Sequence, residues 1–121
     1  MATPTLADLS SKRCIPCEGG IPPLEPEALD SLLQTVPGWS LAEDGRRIRR
    51  DWTVRNFDAG LRFLNQVGAL AEDEGHHPDL HLEGYRKVAI ELTTHAVGGL
   101  TENDFILAAK INAIPIELKR S

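Results

Sequence analysis

The stretch Glu72 to His81, EDEGHHPDLH, places three of the chain's four histidines within six residues, behind a run of acids. Imidazole titrates near neutral pH, so such a cluster can ligate a metal, move protons, or decorate a polar loop. A shared metal is disfavoured by geometry. Zinc wants three or four converging ligands, whereas adjacent His76 and His77 diverge on any regular element. Cys14 and Cys17 have C-x-x-C spacing, but no second such pair exists. The prolines around them also forbid the strand-to-helix setting of a redox motif. Two readings stay open at this point. Two imidazoles converging on a small organic ligand could serve as acid and base if a carboxylate orients them. Glu72 lies one helical turn before His76, and His95 ends a long strand from which the chain could fold back over the same cleft. Alternatively, the histidines sit in a solvated loop at a helix C-terminus, where they interact well with the helix dipole.

The elements that would position these residues are legible from periodicity. Residues 1–23 read as an extension, because CIPCEGGIPPL has neither helical nor strand periodicity. From Pro26, the apolar residues Leu29, Leu32, Leu33 and Val36 fall at helical spacing until Pro37-Gly38. Trp39 and Leu41, a turn at Glu43-Asp44-Gly45, and Ile48, Trp52 and Val54 predict a hairpin whose second strand has an arginine-rich outer face. Asn56 is placed to cap a long helix with Phe57, Leu61, Leu64, Val67 and Ala71 on its apolar stripe, ending near Gly75. A short strand around Leu80 to Leu82 and a stronger one from Tyr85 to Thr94, with Val88, Ile90 and Leu92 facing one way, predict a second hairpin. After Gly98-Gly99, Thr101-Glu102-Asn103-Asp104 reads as a capping box opening a last helix that stops near Pro115. The order α-β-β-α-β-β-α predicts an α+β fold: a four-stranded antiparallel sheet with three helices packed on one face.

Composition limits the function classes. A chain of 121 residues with 41% hydrophobic and 26% charged residues suits one globular domain, and a net charge of −5 gives no basic footprint for nucleic acid or anionic membrane. A small molecule or a protein is the expected partner. No apolar run is long enough for a transmembrane helix, and MATPTLADLSSKR lacks the apolar centre of a signal peptide, so a cytoplasmic location is expected. Cysteines spaced as closely as Cys14 and Cys17 would cross-link almost nothing.

Glu72, His76, His77, Pro78, Tyr85, His95 and Asp104 follow an extended pattern: an acid, three residues, His, His or Asn, Pro, a spacer, an aromatic, nine residues, His or Trp, then Asp. In this the chain resembles the pterin-4a-carbinolamine dehydratases over about residues 24–114, including PGW at Pro37 to Trp39 and GGLTENDF at Gly98 to Phe105. The resemblance implies a dehydratase-like domain over 24–121 that removes water from 4a-hydroxytetrahydrobiopterin to give the quinonoid dihydropterin. It implies His76, His77 and His95 lining the pterin pocket as catalytic residues, with His76 and His95 foremost in proton transfer. Glu72, Pro78, Tyr85 and Asp104 would bind or orient, Asp104 doubling as a helix-capping acid. It implies no metal or organic cofactor, and a homodimer or homotetramer. Leu80 and His81 stand where many members carry an aromatic residue. The arm CIPCEGGIPPL, with EGHHPDLHLEGY and GGLTENDFILAAKI, is similar to a branch that includes dehydratase-like proteins of chloroplasts and α-carboxysomes. That similarity implies the alternative of a non-catalytic RuBisCO assembly factor with RuBisCO subunits as partner.

Overall fold

A computed structural model describes residues 5–15 and 22–120. The elements run α1 (Leu6–Ser11), α2 (Pro26–Thr35), β1 (Ser40–Leu41), β2 (Ile48–Thr53), α3 (Phe57–Glu74), β3 (Asp79–Glu83), β4 (Lys87–Leu92), a 3-10 turn (His95–Val97) and α4 (Glu102–Asn112). The strands form a four-stranded antiparallel sheet in the order β1-β2-β4-β3. Strand alternation sorts the side chains. Ile48, Trp52, Val88, Ile90 and Leu92 share a buried face and join Leu32 of α2, Phe63 and Val67 of α3, and Phe105 of α4 in the core. Trp39, Trp52 and Phe63 meet edge to face at its centre, with centroids 6.1 and 5.0 Å apart. The opposite face is polar: Arg49 binds Glu91 at 2.8 Å and Asp51 at 3.0 Å, and Arg47 binds Glu91 at 2.9 Å. This is the α+β architecture expected from the sequence.

Two features differ from the periodicity reading. The extension contains a helix, α1, started by a capping box between Thr5 and Asp8, and it packs on α4 with Leu9 fully buried. Six residues are too few to carry a readable helical period. In α3, Val67 and Ala71 are buried as expected, but Phe57 and Leu61 are half-exposed, and Ala59, Gly60 and Phe63 complete the buried face. Small residues win that face because α3 lies close on the sheet: a Cβ at Gly60 would stand 3.2 Å from Leu82 Cδ1.

The elements converge on one end of the β3–β4 hairpin. Asn56 Oδ1 accepts from Ala59 N at 2.8 Å to start α3, and Gly75 in the left-handed conformation ends it and releases the chain into His76. β4 runs back to the same end, where Thr94 N donates to Gly99 O at 2.9 Å and closes a loop carrying His95. Gly98 adopts φ 66°, and Gly99 lies where a Cβ would meet Pro23 at 3.0 Å. The α4 N-terminus completes the cluster.

Candidate active site

His76, His77 and His95 line one open cavity of about 220 Å³, together with Ile15, Gly75, Thr93, Thr94, Ala96 and Asn103. Its organising group is Asp104, which is fully buried. Asp104 Oδ1 lies 2.6 Å from His76 Nε2, while Oδ2 accepts from Thr94 Oγ1 at 2.8 Å and from Thr101 N at 2.9 Å. The last of these bonds belongs to the capping box of α4, so one carboxylate starts the helix and holds the imidazole. An ionised carboxylate only accepts, so His76 Nε2 carries the proton and Nδ1 is the ring nitrogen left over. At the rim, Glu72 Oε1 lies 3.1 Å from His77 Nε2, both side chains being mostly exposed. The His95 ring makes no hydrogen bond with any other described residue and is exposed on its tight turn.

The opening histidine cluster is split by the fold. His81 enters β3, opposite Ala89, and faces the polar side of the sheet, where its Nε2 stands 3.7 Å from Glu91 Oε2. His95, distant in sequence, takes its place beside His76 and His77. Tyr85 is not brought to the cavity. It sits at the far turn of the hairpin, 58% exposed, at φ 54°, with the Arg86 guanidinium 5.1 Å from its ring. Pro78 links His77 to β3 and does not line the cavity. Among the described residues, no group of three or more His, Cys, Asp or Glu could hold a metal ion. Cys14 is described and has a free thiol, whereas Cys17 lies outside the described residues.

Periodicity gave no signal for Thr94, Asn103, Glu74 or Ile15, which meet at or beside the cavity through contacts distant in sequence. Cys14 N donates to Glu74 Oε1 at 2.8 Å, and Lys110 Nζ donates to Glu74 Oε2 at 2.7 Å. Burial pushes the Glu74 carboxyl up, but Lys110, the Cys14 N–H and Arg13 outweigh it and hold it below its ordinary value. Cys14 moves the other way: burial first, then the Glu74 carboxylate, push its thiol up to about 12.

The family described as Pterin 4 alpha carbinolamine dehydratase matches residues 22–114. An Arabidopsis thaliana protein named Pterin-4-alpha-carbinolamine dehydratase 2, mitochondrial, is 52% identical over 93% of this chain, which spans 62% of that protein's length. A Rubrobacter xylanophilus relative, named provisionally as a pterin-4-alpha-carbinolamine dehydratase, is 42% identical over 90% of this chain and all of its own. The crystal structure of a transcriptional coactivator/pterin dehydratase from Brucella melitensis superposes with a TM-score of 0.71 at 30% identity, covering 75% of this chain and 96% of that one. A pterin dehydratase-like protein described as a RuBisCO assembly factor in the α-carboxysome superposes with a TM-score of 0.53 at 22% identity, covering 63% of this chain and 87% of that one; this is a likeness of fold alone.

Proposed function

This chain belongs to the pterin 4 alpha carbinolamine dehydratase family, and we propose that it is itself a hydro-lyase, dehydrating 4a-hydroxytetrahydrobiopterin to quinonoid dihydrobiopterin. The observation that carries the reading is the meeting of His76, His77 and His95 on one cavity, with His76 held by a buried carboxylate. The reaction breaks the C4a–O bond, and the oxygen leaves as water after taking a proton from an acid. The N5–H bond gives its electrons to a new C4a=N5 double bond while a base takes the proton. His76, with Nε2 committed to Asp104, offers Nδ1 as the base. His95, unrestrained and in contact with solvent, supplies the proton to the hydroxyl and is recharged from water. His77 binds the substrate, oriented by Glu72.

The test is the rate of dehydration of the carbinolamine generated by an aromatic amino-acid hydroxylase. His76→Ala and His95→Ala should each lose about a hundredfold or more, the usual worth of a positioned acid or base, with folding retained. A wild-type protein that leaves the rate at the buffer value sinks the reading. The RuBisCO assembly alternative would then be tested by RuBisCO yield on co-expression. The same proposal includes a cytoplasmic homodimer or homotetramer. No helix among the described residues is long and apolar enough to cross a membrane.

A further inference from the structure

The cavity has one wall that the family match does not include. Residues 13–15 precede the matched segment, which begins at 22, yet they cross between the end of α3 and the start of α4. Arg13 Nη2 donates to Asp73 O at 2.9 Å, and Lys12 Nζ binds Glu102 Oε1 at 2.6 Å. The backbone itself is gripped by buried side chains. Cys14 N is held by Glu74, Ile15 N donates to Asn103 Oδ1 at 3.0 Å, and Asn103 Nδ2 donates to Ile15 O at 2.6 Å. With three polar groups of the main chain fixed in this way, both of those of Ile15 among them, the Ile15 side chain has a set place.

That place is the cavity wall. Ile15 is 66% exposed there, and it is the only large aliphatic side chain among the described lining residues; the rest are histidines, threonines, an asparagine, an alanine and a glycine. Sites for flat heterocycles are walled mainly by apolar side chains, with few polar groups to orient the ligand. An exposed isoleucine whose N–H and C=O are both held by a buried asparagine is what such a wall requires. We propose that residues 13–15 form a strap over the side of the site and that Ile15 is a specificity residue, laying its side chain against the bound pterin. This inference rests on the dehydratase reading and deepens it.

The test is steady-state kinetics of the full-length chain, with dihydrobiopterin binding by fluorescence titration as a second readout. Ile15→Ala should raise KM and the dihydrobiopterin Kd about tenfold, the order seen when an aliphatic contact is lost from a pocket, with kcat changed less than about twofold. Ile15→Val should restore most of the affinity. Asn103→Ala, which removes both bonds to the Ile15 main chain and leaves the Ile15 side chain itself unchanged, should shift KM the same way. Because Ile15 is exposed, its variants should keep the wild-type melting temperature, so that a KM change is not a folding defect. Unchanged KM and Kd in Ile15→Ala, beside an active wild type, overturn the strap and leave the dehydratase reading standing. A loss confined to kcat also overturns it. A wild type with neither dehydration nor pterin binding overturns both.

Discussion

With its two oxygens turned in different directions, Asp104 receives His76 on one side and Thr94 and Thr101 on the other. Asp104→Asn separates these duties. If the amide oxygen stays toward the two threonine donors, the NH2 faces His76 Nε2, which must then accept, and the imidazole proton moves to Nδ1. The base of the proposed reaction is lost without loss of the ring. We expect a fall of about a hundredfold or more in rate with the fold kept, and imidazole nitrogen chemical shifts should report the exchanged tautomer. Asp104→Ala removes the acceptor altogether and leaves buried donors under-satisfied, which should cost about 2–4 kcal/mol in urea denaturation. Cys14 gives a prediction of the opposite kind. With its thiol at about 12, only about one molecule in ten thousand carries thiolate at pH 8, so native protein should resist iodoacetamide at Cys14 while unfolded protein reacts. Fragment-ion masses that separate Cys14 from Cys17 would read the difference.

At the level of elements, the PGW turn shows how a motif visible in the sequence becomes a structural constraint. Gly38 sits at φ 89°, and a Cβ there would fall 2.5 Å from Arg50 Nε. Arg50 in turn donates to Pro37 O at 3.1 Å and Asn112 Oδ1 at 2.6 Å, and lies 4.9 Å from the Trp52 ring centroid. Gly38→Ala should therefore lose about 1–3 kcal/mol in thermal or urea unfolding, with the site unaffected. The strap anchor responds to pH. Glu74 has a folded pKa below its ordinary value, so its stabilisation is fully present above the ordinary carboxylate range and is lost as pH falls from about 5 toward and through the folded value. The melting temperature should drop over that window, and Glu74→Gln should flatten part of the drop. Patterns local to a segment were the legible ones: the alternation of β4, the Asn56 cap, the Thr101–Asp104 box, and the histidines after Gly75. The docking of residues 13–15 and the passage of His81 to the other side of the sheet depend on pairings across the fold, which no local period encodes. The first turns of the α3 stripe were misphased, while Val67 and Ala71 were read correctly, because Ala59 and Gly60 look too small to mark a core face.

For the molecule as a whole, three of the exposed apolar residues mark surfaces that a second copy can cover. Phe57 and Leu61 lie one turn apart on α3, 50% and 41% exposed, and edge strand β3 offers Leu80 at 40%. Pairing either surface with a second copy removes it from water, and light scattering at micromolar concentration should give a dimer or tetramer mass; a monomer would count against this assembly. The strap has a different consequence, one of timing. Lys12 closes on Glu102 and Ile15 on Asn103, so a segment that leaves the ribosome early has no seat until α4 has followed it out of the exit tunnel. The same helix brings Asp104, so the imidazole of His76 and the wall at Ile15 gain their supports together. The site is thus completed only by the last helix, and a nascent chain stalled before α4 would carry the histidines with neither the Asp104 carboxylate nor the wall at Ile15.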